Sequence, residues 1–113
     1  MNKRETWIAH YAEDIREKFG ETPDMDLLTK VTIGLGPSIY KSDASKVSGS
    51  DPSELERVRT NFLIGKLGLP DGPELMEAIT AEMDRYGRSE RNKYRAVIYY
   101  MLARRFGKTS IYG

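Results

Sequence analysis

Cysteine is absent from this 113-residue chain. Its absence excludes disulfides, thiol nucleophiles and thiolate metal sites. Histidine occurs once, at His10, so any metal centre or Ser-His-Asp triad would have to be built on that side chain. Long apolar runs are missing too. The longest, Ala96 to Ala103, has eight residues, where a membrane-crossing helix needs about 20. Behind the charged start, Met-Asn-Lys-Arg-Glu-Thr-Trp, no apolar run of signal-peptide length follows. The expectation is a soluble, cytoplasmic protein without membrane contact. Strand patterns are equally scarce: Val31-Thr32-Ile33 and Ser110-Ile111-Tyr112 are the only β-like triplets.

Charge is what the chain has in quantity. Lys plus Arg is 18 and Asp plus Glu is 17, for a formal net of +1. The two signs are segregated. After Gly87 come Arg88, Arg91, Lys93, Arg95, Arg104, Arg105 and Lys108 against Glu90 alone, a balance of +6; the residues up to Gly87 carry −5. Such a split implies either an anionic partner for the C-terminal part or internal pairing between the two parts.

The pattern predicts an all-α fold of about five helices in one bundle-like domain spanning residues 1–113. The first helix runs from Arg4 to Phe19, with Trp7, Ile8, Tyr11, Ile15 and Phe19 on one face, and stops at Gly20. The second starts with Thr22 as N-cap and Pro23 at the first helical position, and ends in Gly34-Leu35-Gly36-Pro37. Residues 41–51 form a serine-rich loop that reads as a connector. Asp51-Pro52-Ser53-Glu54 opens the third helix, which Gly68 closes; Asp71-Gly72-Pro73-Glu74 opens the fourth, which Gly87 closes. Ser89 caps the fifth, which runs to Phe106, and residues 108–113 read as a short mobile tail.

The fifth helix is apolar all round from Ala96 to Ala103, which places it at the centre of the domain. Its cations therefore sit at its ends. Arg104, Arg105 and Lys108 lie at the C-terminus, where the helix dipole favours them and no partner is needed. Arg88, Arg91 and Arg95 lie at the N-terminus, where the dipole opposes them, and helical geometry puts them within about 60° of one another; Lys93 points elsewhere. Three guanidiniums on one face suit a phosphate, a carboxylate cluster or an acidic helix. The competing reading is an ion-pair network with acids such as Glu13, Glu17, Glu77 or Asp84.

Other motifs carry less. Gly34-Leu35-Gly36-Pro37 follows a helix rather than preceding one, so it is a helix stop and not a phosphate loop. His10 and Asp14 are too few to ligate a metal, and His10 sits opposite the apolar face of its helix. The fourth helix is too acidic to serve as the recognition helix of a helix-turn-helix. Tyr94, Tyr99 and Tyr100 beside arginines are either stacking platforms for a single strand or core tyrosines. Gly65, inside the third helix, marks a close approach or a local break. No catalytic residue, cofactor site or metal site is expected.

The run Thr22-Pro23-Asp24-Met25-Asp26-Leu27-Leu28-Thr29-Lys30-Val31-Thr32-Ile33-Gly34-Leu35-Gly36-Pro37-Ser38-Ile39-Tyr40 resembles the signature of the domain of unknown function 2853 family. Asn61-Phe62-Leu63 with Lys66-Leu67-Gly68, and Asn92-Lys93-Tyr94-Arg95-Ala96-Val97 through Tyr99-Tyr100 to Phe106-Gly107-Lys108, resemble its other blocks. The resemblance implies a stand-alone bacterial protein of this size and brings no activity, ligand or catalytic residue. The residues themselves point to a non-enzymatic protein that binds an acidic protein partner or its own copy through Arg88, Arg91, Arg95 and Tyr94. Nucleic-acid or other polyanion binding through the same arginines is the alternative.

Overall fold

The computed structural model describes residues 2–113. Helix α1, Lys3–Phe19, is opened by Asn2, whose side-chain oxygen accepts the Glu5 amide at 2.8 Å. Its inward face carries Ile8, Tyr11, Ala12, Ile15 and Phe19. Helix α2, Met25–Leu35, starts later than the Thr22-Pro23 pair predicts. Asp24 is the cap, accepting from the Leu27 amide at 3.1 Å, while the Tyr100 hydroxyl accepts the Asp24 amide at 2.8 Å. A contact from the far end of the chain thus sets this helix start. A 3₁₀ turn, Gly36–Tyr40, follows.

Asp51 caps α3, Pro52–Arg57, as its sequence implies, with its carboxylate accepting from both the amide and the hydroxyl of Ser53. The third helix does not stay α. From Val58 to Lys66 it widens into a π-helix, in which the Leu67 amide reaches the Phe62 carbonyl at 2.9 Å. A Cβ at Gly65 would lie 3.2 Å from the Thr60 carbonyl, five residues earlier, so Gly65 marks a local break rather than a close helix approach. The widened turn carries Val58, Phe62, Leu63 and Leu67 inward, and Phe62 stacks on Tyr99 with ring centroids 3.8 Å apart.

Helix α4, Pro73–Tyr86, has Gly72 at its N-cap and no side-chain cap, because Asp71 turns instead to Arg59 at 2.5 Å. Helix α5 is Arg95–Arg105. It packs against α1, α2 and α4 at the centre of the domain, with Ile98, Tyr100 and Leu102 fully buried. Each such side chain contributes roughly 1.5–3 kcal/mol by leaving water. The five helices share one hydrophobic core. Among the described residues there is no strand, only an isolated bridge between Lys46 and Tyr94. Among the described residues no helix is long and apolar enough to cross a membrane.

Two expectations are corrected at the C-terminal end. The tail is ordered: Thr109–Tyr112 forms a 3₁₀ turn, Tyr112 packs against the core, and the Lys66 ammonium lies 5.2 Å from the Tyr112 ring centroid. Nor do Arg104 and Arg105 rely on the helix dipole alone. Arg104 bonds Glu21 at 3.1 Å and Arg105 bonds the buried Glu82 at 2.8 Å.

Candidate functional site

Ser89 does not start the fifth helix. Residues 87–94 leave helical geometry at Gly87, whose φ of 123° and ψ of 120° lie where L side chains rarely go. The helix resumes only after Tyr94. The reason is competition for the backbone. The Val47 amide donates to the Lys93 carbonyl and the Arg95 amide to the Ser45 carbonyl, both at 2.8 Å. Those bonds dock the serine-rich segment onto residues 93–95 and leave the backbone between Ser89 and Tyr94 outside the helix. Residues 41–51 are thus no mere connector, for Ser45 and Val47 within them are buried.

This rearrangement dissolves the predicted arginine face. Arg88, Arg91 and Arg95 do not share a helix. Arg95, at the first helical position, is turned inward: its Nε donates to the Ala44 carbonyl at 2.9 Å, its Nη2 to the Lys46 carbonyl at 3.0 Å, and its Nη1 to the Tyr99 hydroxyl at 3.2 Å. Its Nη2 also pairs with Glu54, and both side chains are largely buried. Burial works against its charge, but the Glu54 and Tyr99 partners outweigh it and raise the Arg95 pKa further. The cation opposed by the helix dipole is therefore neutralised by an acid that the sequence reading did not name. Of the acids it did name, only Asp84 takes part, gripping Arg88 through Nε at 3.1 Å and Nη2 at 3.2 Å.

Tyr94 is buried rather than offered to a partner. Its ring packs against Trp7 at 5.4 Å, Tyr11 at 5.4 Å and His10 at 5.2 Å between centroids. His10 is exposed, as expected, yet it leans on the aromatic cluster rather than away from it. Tyr100 is likewise committed inside, to Asp24, and the half-buried Tyr99 stacks on Phe62.

What the fold brings together is a cleft of about 900 Å³ between two lips. One lip is the serine-rich segment, with Ser42, Ser48 and Ser50; the other is the 88–93 loop, with Arg88, Arg91 and Lys93. The start of α3, through Asp51 and Glu54, and the end of α4, through Thr80, Met83 and Asp84, form its base. Two of the predicted residues, Arg88 and Arg91, stand on its wall, and Arg95 supports it from behind.

The cleft's charges are unevenly satisfied. Five carboxylates line it: Asp43, Asp51, Glu54, Asp84 and Glu90. Glu54 holds Arg95 and Arg57, Asp84 holds Arg88, and Glu90 holds Lys18 at 3.2 Å. The Asn92 amide and the Lys18 ammonium draw the Glu90 carboxyl below its usual range, and Asp51 is lowered by its bonds to Ser53. By contrast Lys46, Arg91 and Lys93 have no carboxylate within 4.0 Å among the described residues. Asp43 and Asp51 likewise have no cation within 4.0 Å among the described residues, so the unpaired groups of the lining are three cations and two carboxylates. Lys46 and Lys93 were missed by the sequence reading, because a helical wheel drawn from Ser89 points Lys93 away from the arginines; a loop at 88–94 would have placed it beside them.

Among the described residues no group of three or more His, Asp or Glu is arranged to hold a metal ion. The arrangement supplies cations and hydroxyls for holding an anion.

An all-α domain with a two-lipped polar cleft at the entry to its central helix is thus the class of protein defined here. The chain matches the family model described as protein of unknown function (DUF2853) over residues 10–110, and it belongs to that family. No curated protein matches it.

Proposed function

We propose that this protein is a non-enzymatic binding module of the bacterial cytoplasm, which captures an acidic segment of a partner protein, or of a second copy of itself, in the cleft between residues 41–51 and 88–93. The observation that carries this reading is Arg91: it is exposed on the cleft wall and has no acid partner among the described residues. An exposed guanidinium with its planar fork free suits a carboxylate from outside. Arg88 stands beside it with its fork already closed on Asp84.

A nucleic-acid strand fits this cleft less well. The unpaired Asp43 and Asp51 of the lining oppose a continuous phosphate backbone, and of the tyrosines that would stack on bases Tyr94 and Tyr100 are buried and Tyr99 is half-buried against Phe62.

The test uses Arg91→Glu. Wild type is titrated by calorimetry with a short acidic peptide, Gly-Glu-Glu-Gly, and with a single-stranded oligonucleotide, and its self-association is followed by sedimentation. The charge reversal is expected to abolish peptide binding and any self-association while the helical circular-dichroism signal persists. A variant that binds and associates as wild type does would sink the proposal. Oligonucleotide binding that weakens steeply with salt would replace it with the nucleic-acid reading.

A further inference from the structure

Lys93 lies in the same cleft, is only 6% exposed, and has no carboxylate within 4.0 Å among the described residues. Its ammonium makes one hydrogen bond, to the Glu90 carbonyl at 2.5 Å, and so uses one of three donors. A buried charge is ordinarily paired, because removing it from water is costly without a counter-charge. The acids nearest in sequence and in the cleft are engaged elsewhere: Glu90 with Lys18, Asp84 with Arg88, and Glu54 with Arg95.

We infer that Lys93 is the anchor of an anion subsite that takes a single phosphoryl group, borne by the ligand that the cleft receives. This rests on reading the cleft as a binding site and names the group that enters it deepest. The chemistry of the lining favours phosphoryl over carboxylate. A planar carboxylate is best met by an arginine fork; the Arg88 fork is occupied, and the free Arg91 fork is exposed at the wall rather than buried with Lys93. A tetrahedral dianion instead takes a point-charge ammonium together with several hydroxyl donors, and Ser42, Ser48, Ser50 and Ser89 line the cleft with Lys93. Arg91 at the wall supplies the second positive charge. The acids of the lining restrict the ligand to one such group, since a run of phosphates would meet Asp43 and Asp51 as well.

The experiment measures binding by calorimetry and by thermal shift for wild type, Lys93→Met and Lys93→Arg. The probes are inorganic phosphate, a short phosphoserine peptide and the same peptide with glutamate in place of phosphoserine. Wild type is expected to bind both phosphate-bearing probes, each more tightly as the dianion than as the monoanion, a step that falls near pH 6 for the phosphoserine peptide. Lys93→Met removes the ammonium at similar length. It is expected to lose at least about tenfold in affinity for both, while its unliganded melting temperature stays level or rises, because an unpaired buried charge has been removed. Lys93→Arg retains binding.

Binding of the phosphopeptide alone points to a modified protein segment, and binding of inorganic phosphate alone to a small phosphate ester; either supports the phosphoryl subsite. Equal binding of the glutamate and phosphoserine peptides, phosphate affinity unchanged in Lys93→Met, or no phosphate binding at all overturns it. So does a Lys93→Met protein that melts markedly lower, which would make the Glu90 carbonyl bond structural. If Arg91→Glu loses the acidic peptide while Lys93→Met leaves every probe unaffected, the subsite fails and the proposed function stands. If only the phosphorylated probes bind, through Lys93, the subsite stands and the acidic-segment reading fails.

Discussion

Arg95 and Glu54 form an ion pair in which the two side chains are 15% and 11% exposed. The pair joins the first turn of α5 to the first turn of α3. Arg95 also holds the Ala44 and Lys46 carbonyls, so one guanidinium fastens three segments. Removing one partner of such a pair leaves the other buried without its counter-charge, at a cost of about 3–5 kcal/mol. Arg95→Ala is therefore expected to lower the unfolding free energy, measured by urea titration, by an amount in that range. Glu54→Gln, which keeps the shape, should cost less. Arg95→Ala with unchanged stability but lost ligand binding would restore Arg95 as a recognition residue.

The local signals in this chain were readable, and the long-range ones were not. Asp51-Pro52-Ser53-Glu54 opens a helix as its residues imply, and the apolar run Ala96–Ala103 is central, because capping and burial act within a turn or two of sequence. The starts of α2 and α5 were misplaced because remote groups decide them: the Tyr100 hydroxyl on Asp24, and the Ser45–Val47 backbone on residues 93–95. Arg88 and Arg91 were legible as clustered charges, but the helix whose dipole would oppose them begins only at Arg95. Their true setting, opposite the serine-rich segment, depends on backbone pairing between distant loops that no helical wheel contains. The π-helical turn at Val58–Lys66 left only Gly65 as its trace.

Glu82 is 1% exposed and accepts from Arg85 at 3.0 Å and from Arg105 at 2.8 Å. Arg85 in turn reaches Glu21 at 2.6 Å, and Glu21 accepts from Arg104 at 3.1 Å. The alternating series ties the end of α4 to the end of α5 and to the turn after α1. Its arginines are about two-fifths exposed, so their outer bonds are screened by solvent and contribute little singly. The buried carboxylate is the costly member. Glu82→Ala is expected to destabilise by about 3 kcal/mol or more, against less than about 1 kcal/mol for Glu21→Ala. Raising the salt concentration should narrow the Glu21 effect more than the Glu82 effect. Denaturant titrations at low and high salt measure both.

Several tyrosines resist ionisation. Burial raises the Tyr11 pKa, and its hydroxyl has no hydrogen-bond partner among the described residues. Burial, then the hydrogen bond to Asp14, raises that of Tyr86. Tyr112 is pushed by burial from 10.0 to about 12. Each folded pKa lies above the unfolded one, so the unfolded chain sheds these protons first as pH climbs past 10. Stability linked to these groups is whole below that pH and is lost as pH rises toward the folded values. Tyrosinate absorbance from these residues should therefore appear together with loss of the helical signal. Full tyrosine ionisation with the helices intact would contradict the burial assigned to them.

Gly87 and Gly20 offer a contrast between two glycines at helix ends. Gly20 closes α1 in the left-handed region, at φ 66° and ψ 28°, with open space where a Cβ would go. An alanine there is expected to cost about 1 kcal/mol, through the backbone alone. Gly87, at φ 123° and ψ 120°, lies outside that region, and its turn launches the loop bearing Arg88, Arg91 and Lys93. Alanine at Gly87 forces the turn to relax, for a cost of about 1–3 kcal/mol, and the relaxation falls on the cleft wall. Both variants should melt a few degrees lower. Only Gly87→Ala should also weaken binding of the acidic and phosphorylated probes. If the two variants lower the melting temperature equally and Gly87→Ala binds as wild type does, the 88–93 loop does not need its observed path, and the cleft is not the recognition surface.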